Sequence, residues 1–243
     1  MTLYRDRGVV LRTYKLGESD RIIVLMTREH GKVRAVAKGI RKTKSKIGAR
    51  LEPMAHVELL LYRGRDLDVV SQVETVDVAP TLHDDLDRMT QAMAVLEAVD
   101  LAAQDRECAT ELYEMLVGAL RALASHPSPM LLAGFYLKML ALEGVGPQVL
   151  ACVGCGAADG LVSFDVYRGG VQCDACRTGV AIDTNVLDLL RDVLGGRLNR
   201  ALGAVDSPAT RTVTSLATRL MEQHLERRLR SLSMFGFTGD SRL

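Results

Sequence analysis

Residues 21–38 read Arg21-Ile22-Ile23-Val24-Leu25-Met26-Thr27-Arg28-Glu29-His30-Gly31-Lys32-Val33-Arg34-Ala35-Val36-Ala37-Lys38. The first seven residues are an aliphatic, β-rich run and read as a strand. His30-Gly31 marks a turn. From Lys32 onward, cations alternate with small apolar residues at a period of two, which sends Lys32, Arg34 and Lys38 outward and Val33, Ala35 and Ala37 the other way. Further β-rich runs lie on either side. Val9-Val10-Leu11-Arg12-Thr13 precedes the turn Leu16-Gly17-Glu18-Ser19. Two further runs, 57–62 and 67–73, flank the turn Arg63-Gly64-Arg65-Asp66. Five strands in about seventy residues predict a small closed or partly closed barrel of the OB type.

The charge is uneven along the chain. Between residues 28 and 50 stand Arg28, Lys32, Arg34, Lys38, Arg41, Lys42, Lys44, Lys46 and Arg50, against Glu29 as the one acid. Residues 1–80 hold 16 Lys+Arg and 10 Asp+Glu, whereas the whole chain has a formal charge of +1. A concentrated positive field on a barrel points to a polyanion, with a solvated lysine-rich loop as the bland alternative. Lys32, Arg34, Lys38, Arg41, Lys42, Lys44, Lys46 and Arg50 are the candidate contacts. Residues 28–50 contain no aromatic side chain, and the chain has no Trp. Tyr4, Tyr14 and Tyr62 are read as closing the barrel rather than stacking on bases. The expected binding mode is therefore backbone electrostatics, insensitive to base sequence and steep in salt.

A chain of 243 residues with 48% apolar content builds real cores and holds one large or two to three small domains. It has no apolar run long enough to span a bilayer and no apolar region behind its charged N-terminus, so neither a membrane span nor an export signal is expected. The expected location is cytoplasmic, where five cysteines mean metal or free thiols rather than disulfides.

Beyond residue 80 the apolar spacing turns helical. A helix is expected to start at Thr81-Leu82-His83-Asp84 and carry Met89, Met93, Leu96 and Val99. Others are expected over 110–123, 129–142, from Asp183-Thr184 to Gly195-Gly196, and from Ser207-Pro208 to about Arg230. Their Leu and Met stripes are core. Glu226-Arg227-Arg228-Leu229-Arg230 reads either as a second anion patch or as cations at a helix C-terminus. Cys108 is a lone helical cysteine with no assigned role.

Cys152-Val-Gly-Cys155 and Cys173-Asp-Ala-Cys176 form two CxxC pairs separated by seventeen residues. Each tight turn aims two thiolates at one centre, and two such turns complete a tetrahedral four-sulfur site of the kind one structural Zn²⁺ fills. A thioredoxin-like redox motif needs only one pair. An iron–sulfur cluster also uses four cysteines and stays open at this point. Elsewhere there is no GxxxxGK[ST], GxSxG or HExxH, and His30, His56, His83, His126 and His224 are scattered. Asp84, Asp85 and Asp87 fit helix-start acids. The chain reads as a binding protein, not an enzyme.

The ordered short motifs Gly17-Glu18-Ser19-Asp20, Thr27-Arg28-Glu29-His30-Gly31-Lys32, Ala37-Lys38-Gly39-Ile40-Arg41-Lys42, Ser45-Lys46 and Leu51-Glu52-Pro53 resemble the bacterial DNA-repair family RecO over residues 7–75. The 152–177 segment resembles those members that keep the cysteines. Some members lack them, which fits a stabilising metal. The resemblance implies an α+β multidomain protein: an OB-fold domain at 1–79, a helical domain at 80–243, and a zinc module at 150–180 inserted in the latter. It also implies binding of single- and double-stranded DNA, strand annealing, and assistance in loading RecA onto DNA coated by single-strand-binding protein (SSB). The implied partners are RecR and the acidic C-terminal tail of SSB, with no membrane partner. Two other classes compete with this reading. One is a zinc-containing protein-interaction scaffold, in which the basic loop serves only solubility. The other is an RNA-binding zinc-ribbon protein of the translation machinery.

Overall fold

The computed structural model describes residues 2–40, 48–77 and 81–231. Strands β1 (Leu3–Leu16), β2 (Asp20–Thr27), β3 (Gly31–Ala37), β4 (His56–Tyr62) and β5 (Asp68–Asp77) close into a barrel in the order β1-β2-β3-β5-β4, the OB-type arrangement expected. The long β1 serves two neighbours. Its first half pairs with β4 and its second with β2, and a register shift between Val10 and Arg12 bends it from one to the other. The closing seam is short: β3 and β5 run parallel and pair only at Ala35↔Asp68 and Val36↔Val69.

Alternation fills the barrel with Val10, Ile23, Leu25, Ala35, Ala37, Leu59, Leu61 and Val73. The other face of the same strands is also buried at Val9, Leu11, Val24 and Met26. Helices cover it, which is why 21–27 reads as a continuous apolar run rather than an alternating one. Each of these fully buried aliphatic side chains contributes about 1.5–3 kcal/mol. Of the three tyrosines, Tyr4 packs against the barrel core, whereas Tyr14 and Tyr62 are exposed, so the expectation that all three close the barrel holds for Tyr4 alone.

The covering helices are α2 (Leu86–Ala102) and α3 (Thr110–Ser125), and the short α1 (Thr81–Asp84) packs on both. Where one helix from Thr81 was expected, there are two. The Asp85 carboxylate accepts from Arg88 N–H and caps α2, with its own backbone extended, so α1 stops before it. By packing, these helices belong with the barrel in a unit spanning Met1–Ser125; a second unit spans His126–Leu243. The second contains α4 (Leu131–Leu142), a three-stranded sheet of β6 (Leu161–Asp165), β7 (Gly170–Cys173) and β8 (Val180–Ala181), then α5 (Thr184–Leu194), α6 (Leu198–Leu202) and α7 (Pro208–His224). Ser207 opens α7 with a reciprocal capping box.

That last helix ends six residues before the expected Arg230. Glu226 takes a left-handed backbone (φ 50°), Arg227 N–H donates to Glu222 O at 3.0 Å, and Glu226 N–H donates to Gln223 O at 3.2 Å. This is a Schellman stop built on glutamate rather than glycine, so the sequence carried no sign of it. Arg227, Arg228 and Arg230 therefore follow the helix rather than cap it from within.

The β2–β3 turn meets the α2–α3 loop at Gly31. Its φ is +65°, and an added Cβ would lie 1.7 Å from the Glu107 carbonyl oxygen. Gly17, in the β1–β2 turn, has φ +58° but open space around it. Gly17→Ala should therefore lose only about 1 kcal/mol of backbone preference, while Gly31→Ala should lose at least about twice that, because a backbone carbonyl must move. Chemical denaturation of the two variants checks the difference; equal losses would show that the loop does not hold the turn.

Candidate nucleic-acid interface and metal centre

The outer face of β3 carries Lys32, Arg34 and Val36, and Lys38 follows in the turn just past the strand, but outward from the barrel is not always toward water. Lys32 is buried: its Nζ donates to the carbonyl of Asp100 at 2.8 Å and lies 3.6 Å from Asp105 Oδ1. Asp100 stands in the last turn of α2, which has no basic residue of its own there. The barrel thus supplies the cation that a helix C-terminus favours and satisfies one of its spare carbonyls. Lys32 corrects the sequence expectation of a solvent-facing cation, because α2 covers its end of the strand.

Arg34 is half exposed, with Nη2 3.1 Å from Asp105 Oδ2. Lys38 is exposed, with no ion-pair partner among the described residues. Arg50 is exposed and donates from Nη1 to Val73 O at 2.9 Å. Arg41, Lys42, Lys44 and Lys46 lie outside the described residues. Lys38 and Arg50 thus stand on the two described flanks of the 41–47 stretch.

Several polar residues that no sequence pattern singled out organise this side of the barrel. Where β3 leaves β5, the α2–α3 loop takes the vacant edge: Lys32 pairs with Asp105 as an isolated parallel bridge, and Arg106 N–H donates to Lys32 O at 2.9 Å. Arg106 has φ +61°, a strained position for a non-glycine residue. Its guanidinium donates to Asp68 Oδ1 at 2.9 Å. Asp68 is fully buried and also accepts from Gly64 N–H at 2.9 Å and from the Tyr4 hydroxyl. Burial alone would raise the Asp68 pKa, but those hydrogen bonds from Tyr4, Gly64 and Arg106 outweigh it and hold the carboxyl below the usual range. Asp100 behaves oppositely. Burial dominates and raises its pKa, although Arg12 Nε sits 2.7 Å from Oδ2; Oδ1 has no partner among the described residues.

In the second unit the four expected cysteines meet. The Sγ atoms of Cys152, Cys155, Cys173 and Cys176 all lie within 4.8 Å of one another, with Cys155 and Cys173 at 3.6 Å. Sulfurs on a tetrahedral ion with 2.3 Å bonds are about 3.8 Å apart, so the donor set fits a metal and is far from disulfide contact. The backbone is shaped for it. Gly154 N–H donates to Cys152 Sγ at 3.3 Å, and a Cβ on Gly154 would press on Cys176 Cβ and Sγ at 3.1 Å. Backbone N–H groups, that of Cys173 first, lower the Cys152 pKa to about 6. Hydrogen bonding to the Cys155 and Cys173 thiols pushes Cys176 up to about 12. One thiolate forms readily and the last resists, which is the imbalance a divalent cation removes. Beside the second pair, fully buried Gln172 accepts from the N–H groups of Thr178 and Gly179 and donates to Asp165, fixing the return loop.

Among the described residues no helix is long and apolar enough to cross a membrane. Two family models match the chain. Residues 1–79 match the one described as recombination protein O N terminal, and residues 83–233 the one described as recombination protein O C terminal.

Two outcomes follow from this geometry. The parent should purify with one metal ion per chain, and Cys152→Ala with Cys155→Ala should purify without it and melt at a lower temperature; elemental analysis and calorimetry check both. Asp68→Asn should cost about 3 kcal/mol at neutral pH, since it strands Arg106 against a buried neutral group. Because the folded pKa of Asp68 is depressed, its contribution is complete above the unfolded carboxylate value and is lost as pH falls through the folded one. The gap between parent and variant should therefore narrow in acid, as read by denaturation at neutral and acidic pH.

Proposed function

Because the chain belongs to the recombination protein O family, a family of DNA repair and recombination mediators, we propose that it works by binding rather than by chemistry. In this reading it holds single- and double-stranded DNA on the β3 side of the barrel, anneals complementary strands, and assists RecA loading onto SSB-coated DNA in the cytoplasm, at the nucleoid. RecR and the acidic C-terminal tail of SSB are its protein partners. One Zn²⁺ on the four cysteines stabilises the second unit and takes no part in a reaction, since four thiolates leave no open position.

The observation that carries the DNA reading is the placement of exposed cations. Arg34 projects from the outer face of β3, Lys38 follows just past its end, and Arg50 is exposed beyond the 41–47 stretch, whose sequence adds Arg41, Lys42, Lys44 and Lys46. Cations concentrated in this way along the chain neutralise phosphates without reading bases. Two strands that repel each other in water repel less when both lie against such a surface. Lys32 supports the contact face from behind.

Fluorescence anisotropy of a labelled single-stranded oligonucleotide across a salt series tests the reading. A log–log slope of about −3 to −4 is expected, equivalent to roughly five phosphates at ~0.7 each. Reversing Arg34, Lys38, Arg41, Lys42, Lys44 and Lys46 to Glu should abolish binding while the circular dichroism spectrum stays that of the parent. Unchanged affinity in that folded variant would overturn the assignment.

A further inference from the structure

A second set of arginines lines a groove that shares no residue with the β3 face. Arg7 on β1, Arg28 just past β2 and Arg121 on α3 surround a space of about 360 Å³, floored in part by Tyr113. Glu114 is the one carboxylate in the lining. It lies 3.2 Å from Arg28, and Asp77 lies 3.1 Å from Arg121. Both carboxylates are about half exposed, so these are surface pairs of small net strength that an incoming anion can replace. Arg7 is exposed and has no side-chain partner among the described residues.

The second observation is Gly118, in the interior of α3 and in the groove lining. Glycine is a poor choice inside a helix. Packing does not demand it here, because a Cβ at Gly118 would meet nothing within 4 Å. Residues 114, 118 and 121 share one helical face, so the bare backbone lies between Glu114 and Arg121. The missing side chain leaves room for something outside the chain to approach the helix closely.

We propose that this groove is a second phosphate-binding site, taking the sugar–phosphate backbone of single-stranded nucleic acid. Guanidinium groups from three separate elements match phosphate oxygens in pairs. The apolar floor of Tyr113 and Val117 lies against the sugar and base. This inference rests on the nucleic-acid reading above. It adds to that reading a second track on the same unit, so that one molecule holds two segments of strand at once.

The test uses the full chain and a long labelled oligothymidylate. Arg7→Ala with Arg121→Ala should weaken binding at least fivefold at low salt and flatten the log–log slope by about 1.4, two contacts at ~0.7 each. Gly118→Leu should raise the melting temperature, as a better helix former, yet weaken binding by filling the groove. A merely structural role cannot move those two readouts in opposite directions. If the parent binds and these variants bind with the same affinity and slope, the groove proposal fails and the β3-face reading stands. If the variants lose only the binding of an acidic peptide, the groove is a peptide site and the proposal is again overturned. If the parent binds no oligonucleotide at low salt, the nucleic-acid reading itself fails.

Discussion

A single buried ammonium joins the barrel to its helices. Lys32 Nζ reaches from the outer face of β3 to the carbonyl of Asp100 at the end of α2, and Asp105 lies just beyond. The contact settles several others. It brings the α2–α3 loop alongside the edge of β3 that β5 leaves unpaired, and Arg106 N–H then closes on the carbonyl of Lys32. With its backbone fixed, the Arg106 guanidinium finds buried Asp68, which Tyr4 and Gly64 also hold. The loop can come this close only because Gly31 has no side chain to meet Glu107. An unpaired strand edge is a liability in a small barrel, and here the protein's own loop covers it.

That arrangement separates the cations by role. Arg12, Lys32 and Arg106 are committed to Asp100, Asp105 and Asp68 and serve the fold. Lys38, and in part Arg34 and Arg50, face water and remain able to meet a polyanion. Arg7 and its neighbours form a separate group against α3. A net charge near zero thus coexists with strongly cationic local surfaces, because the acids that balance the total are largely elsewhere or already engaged.

The cysteine cluster is built differently. Its geometry comes from two local turns, each dictated by residues within a few positions of the thiols, with Gly154 leaving space for the partner pair. Buried Gln172 and the β6–β7 pairing then set the distance between the turns. A metal site whose ligands come as two short loops is largely specified by spacing, and only the bringing together of the loops depends on the sheet.

The sequence by itself determined the elements whose causes are local. β-rich runs, one of them alternating with period two, and the turn residues between them placed the five strands. Paired CxxC spacing identified the four cysteines that come together, and Ser207-Pro208 marked the start of α7. It also showed where the cations are concentrated. Tertiary structure alone decided which of those cations are free. Lys32 and Arg34 look equivalent in an alternating strand, but α2 packs over one and not the other, and nothing within ten residues of either encodes that helix. The same holds for Asp68, Asp100, Asp105 and Arg106, ordinary charged residues in the chain whose roles arise from partners far along it, as Arg12 is from Asp100. The stop at Glu226 escaped for a related reason, since a left-handed glutamate is fixed by backbone hydrogen bonds and not by side-chain type. Spacing encodes contacts along the chain, whereas burial of a charge depends on what a distant segment brings to it.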